Sequence, residues 1–161
     1  MDTSVKILGN GQKVITYKIE TLEYNEDGEV VQGYRSTDII LNPTNMIFAE
    51  KLFSTFDEVD KIGEKYQKKL EETDNSSDLF AITHDAEQDM REKMNALFGK
   101  DICAPLLGEY ESIYASDGDG LPIWANILFA TIDEIDSAFV AEKEKTNPRI
   151  KKYIAKYSKK K

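Results

Sequence analysis

The hydrophobic period of this chain changes once, at Asn42-Pro43-Thr44, and that change constrains the fold more than any other feature. Before it, apolar residues alternate as they do on strands. After it they recur every three or four positions, as on amphipathic helices. Val5-Lys6-Ile7-Leu8 leads into Gly9-Asn10-Gly11-Gln12, and Asn-Gly supplies the positive φ angles that a tight hairpin turn needs. A second strand carries Ile15, Tyr17 and Ile19 on one face. Asn25-Glu26-Asp27-Gly28 is the next turn signal, and Val30 to Leu41 gives a third strand containing Val31, Tyr34, Ile39 and Ile40. The two turns predict a three-stranded antiparallel meander over residues 3–41. A sheet that small has one face to bury and must pack on a helix.

Pro43 suits a helix's first turn, where its missing N–H would be unpaired anyway, and Asn42 or Thr44 can cap. Phe48, Leu52, Phe56, Val59, Tyr66 and Leu70 then mark a long amphipathic helix over roughly 45–72. Gly63 inside it costs about 1 kcal/mol relative to Ala, which suggests a close contact or a bend. Thr73-Asp74-Asn75-Ser76-Ser77 ends that helix and starts another, about 78–98, with Leu79, Thr83, Ala86, Met90, Met94 and Leu97 on one stripe and Gly99 as terminator. Ile102 to Leu107 is a short apolar segment around Pro105, extended by a further short helix from Tyr110 to Tyr114. After the loop Asp117-Gly118-Asp119-Gly120, Pro122 opens a third main helix. It points Trp124, Ile127, Leu128, Ile132, Ile135 and Phe139 inward and ends near Lys145. Asn147-Pro148 repeats the start signal and opens a final basic helix. The expected class is therefore α+β, an N-terminal meander packed on a mainly helical body of three to five helices. Residues 1–147 form one acidic domain (1–41 meander, 42–147 helical body) and 148–161 a basic C-terminal helix and tail.

Charge divides at the same place. From Pro148 onward there are seven basic residues (Arg149, Lys151, Lys152, Lys156, Lys159, Lys160, Lys161) and no Asp or Glu. Removing those seven from the chain's 21 Lys and Arg leaves 14 against 30 Asp and Glu, so residues 1–147 carry a formal charge of −16. Blocks of like charge serve as interaction tails, and an acidic body disfavours polyanions such as nucleic acid. Ile150, Tyr153, Ile154 and Tyr157 make a helical stripe beside Lys151, Lys152 and Lys156, a docking face for protein rather than a platform for bases. These seven residues are the candidate partner-binding set. The 40% hydrophobic and 32% charged composition fits a folded soluble protein. One cysteine, Cys103, makes no internal disulfide, and Met1-Asp2-Thr3-Ser4 lacks the basic start and apolar run of a signal peptide, so the cytosol is expected. No 18 apolar residues run together, so no membrane span is expected.

Each potential chemical site fails on its ligands or partners. Counting from Asp117, the twelfth position of a calcium loop falls on Leu128, and Pro122-Ile123-Trp124 offers no side-chain oxygens. His84, beside Asp85, Glu87 and Gln88, has only Cys103 as another soft ligand where structural zinc wants four. Cys103 sits in Ile102-Cys103-Ala104-Pro105-Leu106-Leu107, the setting of a small buried hydrophobe and not of an activated nucleophile. Gly9-Asn10-Gly11 lacks a third glycine and a following helix, so it is no phosphate loop. Glu71-Glu72 and Asp133-Glu134 with Asp136 read as solvated helix faces. No catalytic, cofactor or metal site is expected, and the chain reads as a protein that binds proteins.

From Asn42 onward a wider pattern is visible. Asn42-Pro43-Thr44 leads into a Phe-rich helix, and an acidic helix ends in Leu97-Phe98-Gly99-Lys100-Asp101-Ile102-Cys103. Pro105-Leu106-Leu107-Gly108 follows, then a loop, Gly120-Leu121-Pro122-Ile123-Trp124 opening a hydrophobic helix, and a Lys-rich end. Over about residues 42–161 this resembles the small tail assembly chaperones and related tail proteins of long-tailed phages and prophages of Gram-positive bacteria. The resemblance implies a non-enzymatic protein of the host cytoplasm that binds the tape measure protein and recruits tail-tube subunits; the basic C-terminal helix, as a docking element, also allows a homo-oligomer. It also implies that a frameshift can append a second domain, for which Lys159-Lys160-Lys161 is a compatible slip site. A structural virion component (a head–tail or tail-terminator subunit) and an acidic nucleic-acid mimic are the alternatives.

Overall fold

Strands β1 (Asp2–Ile7), β2 (Lys13–Tyr24) and β3 (Val30–Leu41) precede helices α1 (Met46–Glu71), α2 (Ser76–Phe98), α3 (Cys103–Leu107) and α4 (Ile123–Asp133), giving the α+β class expected from the period change. The computed structural model describes residues 2–7, 12–42, 45–109, 111–116 and 120–135. At 12 residues each, β2 and β3 are long strands, paired antiparallel from Lys13↔Leu41 at the base to Tyr24↔Val30 at the tip. The Asn25 side chain builds the turn between them, accepting the N–H groups of Asp27 at 3.0 Å and Glu29 at 2.9 Å. Gly28 supplies the positive φ of 78° that the turn requires. β1 lies antiparallel along the base of β2, from Ile7↔Lys13 to Asp2↔Lys18. The link between β1 and β2, with the expected Asn10-Gly11 turn, lies outside the described residues.

The helix boundaries differ from the sequence expectation where capping chemistry decides. α1 is capped by Asn45, not by Asn42 or Thr44. In an extended conformation, its side-chain oxygen accepts the N–H groups of Ile47 at 3.0 Å and Phe48 at 3.2 Å. Pro43 and Thr44 themselves lie outside the described residues. α2 starts two residues ahead of the expected position 78 because Asn75 caps it, accepting the Ser77 N–H at 2.8 Å. Gly99 ends α2 in the left-handed region at φ 66°. Gly63 makes no close contact, since a Cβ there would meet nothing within 4 Å.

Two expected helical stretches are not formed as expected. The stretch to Tyr114 is a turn at Ile113 and Tyr114, not a helix, with Tyr110 itself outside the described residues. Glu87 is the cause: its carboxylate takes the Ile113 N–H at 2.9 Å and the Ser112 hydroxyl at 2.6 Å, holding the segment against α2. α4 closes at Asp133, well short of Lys145. Its last turn tightens into Glu134 N–H to Thr131 O and Ile135 N–H to Ile132 O bonds, and the Lys13 ammonium takes the Glu134 carbonyl at 3.3 Å. Phe139 and everything after it lie outside the described residues.

The core forms where the base of the sheet meets all four helices. Ile15, Tyr17, Ile39 and Leu41 pack with Leu52, Phe56 and Val59 of α1, Met90 and Met94 of α2, Leu106 and Leu107 of α3, and Ile127 and Leu128 of α4. Thr131 donates its hydroxyl to the Ile127 carbonyl at 2.7 Å, so the buried Tyr17 hydroxyl, 2.6 Å away, donates to Thr131. Burial, with a smaller push from the Glu134 carboxylate and against the opposing pull of the Thr131 bond, raises the Tyr17 pKa well above the ordinary phenol value, so the phenol stays neutral.

Candidate functional site

Residues directly opposed across an antiparallel pair share a face. On one face of the hairpin, Ile15–Ile39 and Tyr17–Thr37 are buried in the core, and the same face continues outward through Ile19–Arg35, Thr21–Gly33 and Glu23–Val31. The other face carries Thr16–Asp38, Lys18–Ser36, Glu20–Tyr34, Leu22–Gln32 and Tyr24–Val30. From Leu22 to Gln32 every residue is exposed, so the outer part of the hairpin is an arm standing clear of the core.

The arm's second face is apolar where solvent should have selected polar residues. Leu22, Tyr24, Val30 and Tyr34 all lie on it, between 55% and 80% exposed. Tyr24 faces Val30 directly, and Leu22 is one pair removed from Tyr34, whose ring carries the Lys18 ammonium at 4.9 Å. Glu20 on this face and Glu26, Asp27 and Glu29 at the tip border the patch, and no Lys or Arg occurs between residues 19 and 34. β1 covers β2 only as far as Lys18, so among the described residues no strand pairs with the outer edge of β2 from Ile19 to Tyr24.

Arg35 fixes the arm's root. Its Nη1 donates to the Leu107 carbonyl at 2.6 Å, at the end of α3, while Lys100 Nζ donates to the Asp38 carbonyl at 2.6 Å. Gly108 has a φ of 62°, which favours glycine, and a Cβ there would stand 2.2 Å from Arg35 Nη1 and push the guanidinium off its bond to Leu107. Behind α3, Arg91 and Glu87 hold the 108–113 segment. The guanidinium reaches the carbonyls of Gly108 at 3.1 Å and Glu111 at 2.8 Å, and its Nε lies 2.8 Å from the Glu87 carboxylate.

A second surface feature is a shallow groove of about 350 Å³ along α1, lined by Val59, Asp60, Gly63, Glu64 and Gln67 with Trp124 of α4. Gly63 opens this groove by having no side chain.

The residues weighed for chemistry are placed as follows. Cys103 is buried, with its Sγ 3.8 Å from the Arg91 carbonyl; burial pushes its thiol up to about 12, against a smaller opposing pull from Arg91. A thiol that stays protonated at neutral pH is a packing residue, not a nucleophile. His84 is exposed on α2. Among the described residues no three His, Cys, Asp or Glu side chains converge as a metal-holding group, and no helix is long and apolar enough to cross a membrane. Asp117 to Asp119 lie outside the described residues. So does the whole candidate docking set, Ile150, Lys151, Lys152, Tyr153, Ile154, Lys156 and Tyr157.

Sequence reasoning followed Ile15, Tyr17 and Ile19 and missed the arm's other face. Parity was the available signal: Leu22 and Tyr24 fall out of phase with that series, as Ile40 does with Ile39, and Ile40 is exposed.

No family model, curated protein or solved structure matches this chain.

Proposed function

We propose that the chain is a non-enzymatic tail assembly chaperone of a long-tailed phage or prophage. In the host cytoplasm it binds the tape measure protein and recruits tail-tube subunits. The observation that carries this reading is the exposed apolar face of the arm, rimmed by carboxylates on an acidic body. A contiguous apolar patch with a charged rim is the surface expected of a protein that works by protein contact. Each Leu, Val or Tyr anchor covered by a partner contributes roughly 1.5–3 kcal/mol of transfer free energy, and the entropy cost of association leaves a reversible grip. The basic segment 148–161 supplies a second contact of opposite charge.

The open strand edge favours one other reading, a structural virion component such as a head–tail or tail-terminator subunit, in which the N-terminal three-stranded meander pairs edge to edge with neighbours. A nucleic-acid mimic fits less well, because the acidic residues are spread over the arm and both long helices. Co-expression with a tape measure protein and a tail-tube subunit tests the proposal. The chaperone reading expects a recovered complex and improved solubility of the tape measure protein, both lost on changing Leu22 and Tyr24 to Ser. A tape measure protein equally soluble and uncomplexed with and without this chain overturns it.

A further inference from the structure

We infer that the open edge of β2 takes a strand from another protein: an extended, basic segment of the partner adds antiparallel to β2 along Glu20 to Tyr24. This rests on the arm being a protein-contact surface, as proposed above, and names the chemistry of what the arm holds.

The backbone selects a strand. β1 accompanies β2 only as far as Lys18, and among the described residues no strand takes its place beyond. The outward backbone groups from Glu20 to Tyr24, five positions or about 17 Å, are therefore a template for pairing. A helix laid on the apolar face would cover side chains and leave that ladder unmade. An added strand completes the ladder and sets its own side chains beside Leu22 and Tyr24. The antiparallel direction continues the pairing that β1 already makes with β2, and it is the more stable of the two per residue.

Charge selects what the strand carries. Glu20 and Glu23 lie on β2 itself, Glu26, Asp27 and Glu29 follow at the tip, and no Lys or Arg occurs between residues 19 and 34. On β3 the stretch Val30 to Tyr34 is uncharged, so the acidic edge is that of β2. Opposed residues share a face, and the register therefore dictates the occupant's pattern. Apolar side chains fall opposite Tyr24 and Leu22, and Lys or Arg opposite Glu23 and Glu20. Read from its N-terminus, the segment runs apolar, basic, apolar, any residue, basic. The Glu23 carboxylate accepts the Thr21 hydroxyl at 3.2 Å and leans over Gly33, so its cation has to be long, whereas Glu20 is exposed on the apolar face itself. The same charges disfavour other occupants. A second copy's arm would bring five more carboxylates without a cation, and like charges across strands repel. The chain's own basic end is patterned for a helix: Tyr153 and Ile154 are adjacent, and a strand would send them to opposite faces.

The test titrates the isotope-labelled full chain with a capped Val-Lys-Val-Thr-Lys peptide and follows backbone amide signals. Shifts should centre on residues 19–24, and hydrogen exchange should slow there. A nitroxide on the peptide's N-terminus should broaden Tyr24 more than Ile19, as the antiparallel direction requires. Val-Glu-Val-Thr-Glu should bind at least about tenfold more weakly, and Glu20→Lys/Glu23→Lys should abolish or reverse that preference. Lys-Lys-Val-Val-Thr, the same composition with its alternation broken, should also bind several-fold more weakly. No shift at about 5 mM peptide, equal binding of all three peptides, or shifts centred on the α1 groove would each overturn the inference. Binding seen only in a chain lacking residues 148–161 gives the edge to the chain's own basic end, and a full chain that self-associates through residues 19–24 gives it to a second copy. Either result overturns the inference as well. Capture of tape measure protein without peptide pairing sinks it and leaves the functional proposal standing. Peptide pairing without any capture of tail proteins does the reverse.

Discussion

Two parts of this molecule extend past its core, and they do so with opposite surfaces. The outer halves of α1 and α2 run together from about Asp60 to Thr83, and their one buried side chain there is Tyr66. Its hydroxyl donates to Asp89, while the Lys65 and Lys69 ammoniums sit over its ring at 4.9 and 5.1 Å. Apart from the exposed Phe80 the rest of that surface is mostly polar and charged, and its ion pair Lys65–Asp89 at 4.0 Å is half-exposed and worth little. The β2–β3 arm shows an apolar face and an open strand edge instead. Helices satisfy their own backbone, so a protruding helical pair needs only a polar coat. A protruding hairpin leaves backbone donors and acceptors free along its margins, and here it adds Leu22, Tyr24, Val30 and Tyr34. One extension wears a mostly polar coat, and the other shows a contiguous apolar face.

The largest effect is expected where the two extensions meet. Glu87→Ala removes the acceptor for Arg91, Ser112 and Ile113 together and leaves a largely buried guanidinium without its carboxylate, costing about 2–4 kcal/mol. Urea unfolding measures this, and a loss below about 1 kcal/mol would mean that the 108–113 segment does not tie α2 to the arm's root.

Alkaline pH addresses the same junction through Cys103, which ties α3 to α2. Its thiol is raised by burial to about 12 from a usual value near 9. The neutral thiol is the form the fold favours, so its contribution is whole below pH 9 and is lost as pH rises toward 12. Thermal melts should fall through that window, and Cys103→Ala should flatten the fall relative to its own neutral-pH value. An unchanged slope would place the alkaline weakness in the tyrosines.

Gly63→Ala should stabilise the chain by about 0.5–1 kcal/mol, because the methyl meets open space and helix propensity improves. Destabilisation would show that something occupies the α1 groove. The smallest effect belongs to the arm. Leu22→Ser with Tyr24→Ser should leave unfolding free energy within about 0.5 kcal/mol, since both side chains are already in water. A larger loss would mean that the arm supports the fold, and the contrast between the two extensions would collapse.

Much of this layout is written in local pattern. The α1 and α2 stripes of Leu52, Phe56, Val59 and of Ala86, Met90, Met94, Leu97 are buried as their spacing requires. Asn25 and Gly28 make the turn their chemistry suggests. Asn45 was less legible because Asn42, Thr44 and Asn45 all have capping side chains, and only the path of the preceding turn, closed by the Asn45 N–H on the Asn42 carbonyl, selects among them. The segment at Ile113 was not legible at all, because the carboxylate that holds it in a turn against α2 comes from Glu87, 26 residues away. The arm falls between these cases. Its parity is in the sequence, but where the core stops along β2 depends on how far the helices extend beneath it, a tertiary quantity that no window of β2 contains.

The pairing of the arm has a consequence for what can be built from it. Its inner end is clamped at Arg35 and its outer end closes in a self-contained turn from Asn25 to Glu29. Between them lies an uninterrupted ladder of opposed residues. Deleting two neighbouring residues from each strand preserves the alternation, so clamp, turn and facing all survive while the tip retreats by about 6.6 Å. The hairpin is therefore a graduated ruler whose length can be reset in fixed steps without redesigning either end.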